Sequence, residues 1–462
     1  MSLYDKAFWI ALAFIIGSSV AIFYQNYIVV LLVFITFELF LIALSFEEKR
    51  LLYISLFLLI FGPAYFYGSL WVNNTSFIDN QIIEENLEVT SFPEERQSYV
   101  YFKGKNEKGL FHIYTEFEKN IDYRDKILVS GTLSVQNDYL SLWKPKINII
   151  EKSNKSLNQY LFNIRNSFVS YYESLFLERE AALISGLTFG DRRGFSTDFK
   201  EKMSKSGTTH IVALSGYNIT ILASVLGLIF MYFFSRKLAF ILTVIGIILF
   251  TIMVGAEASI VRASIMGIIA LLSIQVGREY ALRNAIILSA LVMILINPLV
   301  IKDIGFQFSF MALIGIVYIM PILSDLTSFD IKDSFMNWKG NLLTTFSAQI
   351  MVLPLILFHF GIFSWLSIVA NIFILEAVPI AMFFGFLIAG FSLLGQASYL
   401  ISLILSVPTK IILDYQIFII DLFSKFNFAT IEYNISIGGV IIFYILIIGF
   451  ILLIKRSLEV FL

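Results

Sequence analysis

The chain has no cysteine, three histidines in 462 residues, and only 15% charged residues. Without cysteine there is no disulfide, no thiolate nucleophile and no sulfur-ligated metal. His112, His210 and His359 lie far apart, and no H-x-x-x-H or H-x-H-x-D spacing occurs, which argues against a metallohydrolase. Lys and Arg number 33 against 34 Asp and Glu, a net charge of -1 that lacks the global footprint of a dedicated nucleic-acid binder. A local basic path remains compatible with that balance. No G-x-x-x-x-G-K-[ST] phosphate loop is present, so ATP does not power the chain through that motif. No G-x-S-x-G elbow is present either, and Ser215 in Leu214-Ser215-Gly216 has no base at a suitable spacing. The expectation is a protein that is not an enzyme, with no cofactor and no metal.

Apolar residues are what the chain has in excess: 58% hydrophobic, with a mean hydropathy of +0.82. A soluble domain carries about 45–50% apolar and about 25% charged residues. At about 20 residues per span, 10–12 spans absorb most of the surplus. The expected fold class is a polytopic α-helical membrane protein of about 12 spans, with one small β domain inserted.

Three apolar segments, roughly 8–23, 28–45 and 51–71, make an N-terminal membrane part covering residues 1–71. The first has only Lys6 as a basic flank and another span follows almost at once, so it is not a cleavable signal. Residues 72–157 turn polar, with alternating runs at Leu87–Thr90, Ser98–Phe102, Leu110–Phe117 and Ile127–Val135. Gly104, Gly109, Gly131 and Asn137-Asp138 read as the turns between them. About five short strands in such a length suit a β-barrel of the oligonucleotide/oligosaccharide-binding (OB) type. Acidic residues slightly outnumber basic ones there, which makes a nucleic-acid role for the barrel weaker than a plain structural one.

Residues 158–208 read as peripheral helices, and 209–462 as a second membrane block. Its apolar segments fall near 209–234, 238–254, 258–276, 284–300, 306–324, 343–359, 372–394, 400–424 and 437–454, with a short, re-entrant-like piece at 363–371. Placing both termini in the cytoplasm puts Glu47-Glu48-Lys49-Arg50, Arg236-Lys237, Arg278, Arg283, Lys332, Lys339 and Lys455-Arg456 inside. The opposite loops hold only Lys302, which agrees with the positive-inside rule and leaves the β domain external.

Polar side chains inside apolar segments carry the chemical information, because lipid makes them costly unless a partner or water meets them. They are Ser215, Asn218, Arg262, Gln307, Asn371 and Glu376, with His210 just before its apolar run and Gln349 in mid-segment. On this topology they fall in the outer third of several spans, as the lining of a water-filled vestibule would. The plain alternative is helix glue: an Arg262–Glu376 ion pair plus hydrogen-bonded amides. For Ser215 and Gln349 singly, glue is the better reading. The charged stretch Asp191–Lys205 is a solvated face by default, and a site of polyanion steering as the functional alternative.

As a set, several segments resemble the ComEC family of bacterial DNA-uptake channels. The resemblance runs from Ala182-Leu183-Ile184-Ser185-Gly186-Leu187-Thr188-Phe189-Gly190 and is strongest over Ser206-Gly207-Thr208-Thr209-His210-Ile211-Val212-Ala213-Leu214-Ser215-Gly216-Tyr217-Asn218-Ile219. It continues through Ala258–Ala263, Asn297-Pro298, Gly305–Phe310, Pro354-Leu355, Phe360-Gly361 and Ala370-Asn371-Ile372, with Pro379 beyond. What it implies is a cytoplasmic-membrane channel passing one DNA strand inward during natural transformation. His210, Ser215, Asn218, Arg262, Gln307, Asn371 and Glu376 would then lie on the DNA path. Arg262 would attract phosphate and Glu376 would hold Arg262 or line the wall.

The implied partners are single-stranded DNA, an external DNA receptor and a cytoplasmic ATP-driven motor. Similar proteins often carry His where this chain has Asn218, and many continue into a metallo-β-lactamase-like domain thought to degrade the second strand. Here the sequence runs to Leu462 soon after its last span, so the expectation is a separate nuclease. One chain or a homodimer would serve equally as the pore. The rival reading is a secondary transporter or a lipid- or polymer-handling membrane protein, binding an ion near a broken helix at 363–371.

Overall fold

The computed structural model describes residues 3–23, 49–71, 79–91, 93–96, 99–106, 108–116, 121, 123–136, 139–152, 157–212, 214, 216–327, 338–426 and 430–461, with isolated positions between 32 and 39. The expected segment 28–45 therefore lies largely outside the described residues. The chain gathers into two compact units. One joins residues 1–167 with 248–256 and 294–299; the other joins 168–247, 257–293 and 300–462.

In the first unit, alternation of apolar and polar residues produces a closed barrel. Its strands are β1 (Ile82–Val89), β2 (Glu94–Arg96), β3 (Tyr99–Asn106), β4 (Gly109–Thr115), β5 (Lys126–Gln136), β6 (Tyr139–Trp143) and β7 (Lys146–Glu151). Five of them form a ring in the order β1-β3-β4-β6-β5, closed by antiparallel pairing of β5 with β1, and β4 and β6 are parallel. Every second residue points inward, so Leu87, Phe102, Phe111, Ile113, Ile127, Val129, Leu133 and Leu142 make a dry core. Two expected turn glycines are not turns. Gly104 lies within β3 and Gly131 within β5, where side chains would crowd Ile113 and Leu87, or Pro145. Of the three glycines only Gly109 lies at a strand terminus, opening β4 close to Asn106, whose side-chain oxygen accepts from its N–H at 3.2 Å.

Helices Leu3–Phe23 and Lys49–Ser69 belong to the same unit. They approach closely where Gly17 faces the Phe61 carbonyl and Gly68 the Ser18 carbonyl. Ser18 donates to the Ala64 carbonyl at 3.1 Å.

Five described helices are long and apolar enough to cross a membrane: Arg236–Met253, Ala258–Val276, Ile304–Thr327, Lys339–His359 and Tyr399–Ser424. Helices Ser367–Ile374 and Val378–Ser392 make a sixth if taken as one span bent by 51°. Ala7–Phe23, Phe57–Ser69, Asn218–Phe233, Leu282–Ile296 and Ile437–Ile451 are apolar but shorter. A 15-residue helix is about 22 Å long against a hydrocarbon core of about 30 Å, so the expected count of about 12 exceeds what helix length alone supports.

The sequence reading also expects one continuous span at 372–394, and the structure instead breaks the chain at 375–377. Pro379 is the reason. It sits in the first turn of the second helix, where its missing N–H costs nothing, and disfavours continuous helix before it. The piece at 363–371 divides into a strand, β8 (Ile362–Ser364), and most of the first half-helix. β8 pairs antiparallel with β9 (Thr430–Glu432).

Candidate functional site

Within the second unit the 206–219 motif is a helix end, a turn and a helix start. Helix Thr197–Ser206 stops at Gly207, whose φ of 70° suits a residue without Cβ. A Cβ there would also fall 2.4 Å from that of Ser367. Ser206 and Thr208 share a hydrogen bond of 2.8 Å, and His210 is exposed with Nδ1 3.1 Å from the Gly207 carbonyl. Ser215 lies outside the described residues. Asn218 is buried, 2% exposed, and its amide donates to the Leu187 carbonyl at 2.8 Å. It therefore ties the 206–219 motif to the 182–190 motif.

Arg262 occupies the second turn of helix Ala258–Val276 and is 7% exposed. Its Nη1 donates to the Ser309 carbonyl, its guanidinium lies 5.8 Å over the Phe310 ring, and its Nε has no partner. Gly216 leaves room beside it, since a Cβ there would stand 3.6 Å from Nη2. Ser259, in the first turn of the same helix, donates to the Leu214 carbonyl at 3.1 Å. Gly216, Arg262 and the second turn of helix Ile304–Tyr318 are thus brought to one place.

The expected Arg262–Glu376 ion pair is not formed. Glu376 accepts from the Asn341 amide at 2.6 Å, and among the described residues no carboxylate pairs with Arg262. Glu376 belongs to a second group, spread along helix Trp338–His359. At the His359 end, Gln307 accepts from His359 Nε2 at 3.1 Å and donates to the Ile301 carbonyl at 3.0 Å. Further along, Gln349 donates to Ser367 Oγ at 2.7 Å. Asn371, one turn beyond Ser367, is 2% exposed and its side-chain oxygen has no partner. At 1.5 Å per residue, Gln349 and Asn341 lie roughly 15 and 27 Å from His359. The polar groups form a ladder rather than the single layer the sequence suggests.

Asn341 and His359 are the site residues that sequence reasoning missed. Asn341 sits in the polar approach to its helix, and His359 was read only as a histidine too isolated for a metal. Among the described residues, no three of His, Cys, Asp and Glu gather as metal ligands.

The sequence pattern described as Competence protein matches residues 187–457, more than half of the chain, and it contains every group just described. The chain belongs to the competence protein family. ComE operon protein 3 of Bacillus subtilis (strain 168) is 29% identical over 213 residues. That stretch is 46% of this chain and 26% of the relative, so the chain corresponds to about a quarter of that protein's length. No solved structure matches. Membership in the competence family, together with the apolar helices, supports a multi-pass membrane protein.

Proposed function

We propose that this chain lines the route by which single-stranded DNA crosses the cytoplasmic membrane during transformation, with its barrel outside and both termini in the cytoplasm. The observation that carries the reading is Arg262. A guanidinium buried in a membrane-spanning helix, holding one carbonyl and, among the described residues, no carboxylate, is strongly short of negative charge. A passing phosphodiester supplies that charge in the bidentate form guanidinium prefers. Asn218, bonded to the Leu187 carbonyl, and Gln307, bonded to His359 and the Ile301 carbonyl, act mainly to fix the backbone around them. Asn371 and Glu376 lie deeper, beside the broken span, where amide and carboxylate oxygens meet bases rather than phosphates. His210 belongs to the mouth-side turn of the 206–219 motif, and Ser215 follows it in the sequence. Direction comes from a cytoplasmic ATP-driven motor, delivery from an external receptor, and removal of the second strand from a separate nuclease.

The secondary-transporter reading keeps one observation in its favour: the half-helix break at 375–377 next to Glu376. One experiment separates the two. Cells carrying Arg262→Ala or Arg262→Lys are given labelled DNA, and surface-bound label, cytoplasmic label and membrane level are measured together. The expected outcome is normal binding and normal protein level with loss of cytoplasmic label, and only partial recovery in the Lys variant. Wild-type uptake in Arg262→Ala removes Arg262 from the path and with it this reading.

A further inference from the structure

Helix Trp338–His359 turns a polar stripe toward the broken span. Asn341, Thr345 and Gln349 are spaced four residues apart and so lie on one face. The two ends of the stripe find partners on the broken span: Asn341 donates to Glu376, and the Gln349 amide nitrogen donates to Ser367. Between those contacts donors and acceptors do not match. Asn371 follows Ser367 by one turn on the same helix face, between the two bonded rungs. The side-chain oxygens of Gln349 and Asn371 are both buried, and neither accepts a hydrogen bond among the described residues.

A third amide arrives from helix Tyr399–Ser424. Tyr415 donates to the Phe373 carbonyl at 3.2 Å, and both residues lie on the exposed side of the contact with half-helix Ser367–Ile374. Gln416, the next residue, is rotated by about 100° to the inner side. It is 1% exposed, and neither atom of its amide has a partner among the described residues.

The break adds more acceptors. Pro379 has no N–H to give the Leu375 carbonyl four residues before it. Among the described residues, the backbone carbonyls of Leu375 and Glu376 accept no hydrogen bond, and no cation pairs with the Glu376 carboxylate. Unsatisfied oxygens therefore outnumber unsatisfied donors, of which Gln416 Nε2 is the one beside them. Turning one amide end for end exchanges one oxygen for a donor and leaves the rest of the surplus. Water is the ordinary filler of such a gap, but water does not balance the charge of Glu376. A set of hard oxygens with one carboxylate nearby suits a monovalent cation, whereas Ca2+ draws on several carboxylates. Among the described residues no three of His, Cys, Asp and Glu gather for a divalent ion.

We propose that an alkali cation binds beside the helix break, ligated by the side-chain oxygens of Gln349, Asn371 and Gln416. The Glu376 charge and the negative end of half-helix Ser367–Ile374 hold it there. This goes beyond the channel reading and does not rest on it. With the ion bound, a strand passing Asn371 and Glu376 meets a site whose charge is balanced. Na+ and K+ present the same chemistry to these oxygens, and the experiment separates them.

The full chain in lipid nanodiscs is melted in sodium, potassium or choline chloride at equal ionic strength. Bound ion is read in parallel with radiolabelled sodium, and with radiolabelled rubidium in place of potassium. Expected is one bound ion per chain and, over choline, a saturable rise in melting temperature in at least one alkali salt. The rise is about 3–11 °C at about 10–100 times the dissociation constant, and the salt that gives it identifies the ion. Gln416→Leu abolishes both the rise and the bound label. It melts in choline no lower than wild type, because a leucine of similar volume removes an unpartnered amide, and this separates a lost ligand from a lost fold. Glu376→Gln weakens binding about 10-fold or more. The test contains no DNA, so its failure and failure of the channel reading are told apart. Equal melting in all three salts, absence of bound label, or undiminished label in Gln416→Leu overturns the proposal.

Discussion

Gly207 gives the sharpest test of the packing around the 206–219 motif, because two separate costs meet there. Alanine at that position adopts a left-handed φ of 70°, which costs roughly 1–2 kcal/mol relative to glycine. Its Cβ also falls 2.4 Å from Ser367 Cβ and 3.1 Å from Ser364 Cβ. Relieving such a clash in packed structure costs about 1–3 kcal/mol more. Gly255 supplies the control, since its φ is 96° and a Cβ there meets nothing within 4 Å. Gly255→Ala thus measures the backbone cost alone and Gly207→Ala measures both.

At about 2–4 °C per kcal/mol, Gly207→Ala is expected to melt roughly 2–12 °C below Gly255→Ala. Heating of the detergent-solubilised protein, followed by fluorescence-detected gel filtration, reads the difference. Adding Ser367→Gly to Gly207→Ala removes the opposing Cβ. It also removes a hydroxyl that accepts from Gln349 and donates to the Ser364 carbonyl at 2.7 Å. The pair should then lose less than the sum of the two single changes. Equal melting of Gly207→Ala and Gly255→Ala, or strict additivity in the double variant, refutes the close approach.

Two further outcomes follow from the same reasoning. In the barrel, burial, then the charge of Lys103, pushes the His112 pKa down to about 4, and the Tyr101 hydroxyl shares a hydrogen bond of 2.8 Å with its Nδ1. Between pH 6.5 and about 4 the unfolded chain binds a proton that the folded barrel refuses, so stability falls as pH falls through that window. The loss is complete below about 4 and amounts to roughly 1–2 kcal/mol once solvent screening is allowed for. Denaturant unfolding across that range should show the fall in wild type and a flattened profile in His112→Gln. Where helices Ile304–Tyr318 and Trp338–His359 cross, a Cβ on Gly315 would sit 2.3 Å from the Ser347 carbonyl. Gly315→Val should cost at least 3 kcal/mol, whereas Gly390→Ala, with nothing within 4 Å, should gain about 0.5–1 kcal/mol of helix propensity. Melting of the two variants side by side checks this.

Much of the organisation was legible in the sequence because it depends on periodicity and composition. Runs of 20 apolar residues report on lipid, and alternation over residues 82–136 reports on a half-buried sheet, whatever surrounds them. The half-helix break was visible as Pro379, but only as a weak signal, because proline also begins ordinary helices. Gly104 and Gly131 misled for a related reason: a glycine that opens a turn and one that yields space to a neighbour across a sheet look alike in one dimension. The site was legible as a set of residue types and not as a set of partners. Arg262 and Glu376 are opposite charges in two apolar segments, and an ion pair between them was the plain alternative to a water-filled vestibule. Their actual partners are a backbone carbonyl and an amide. Helix depth and rotation settle such choices, and hydropathy fixes neither.

The barrel shows the same division from the other side. Counting charges across 72–157 pointed away from nucleic acid, since acidic residues prevail there. Which charges are already paired, and which rings share a row, depends on strand register and on the parallel pairing of β4 with β6. By itself, then, the sequence determined that this is a membrane-embedded member of the competence family with an inserted β domain, and which scarce polar residues lie in apolar segments. The tertiary structure alone shows that no carboxylate among the described residues pairs with Arg262, that Glu376 and Gln307 meet opposite ends of helix Trp338–His359, and that five rings meet on one barrel face. The physical reason is that burial and periodicity are properties of a segment, whereas an ion pair or a stacked row needs two segments at a fixed distance.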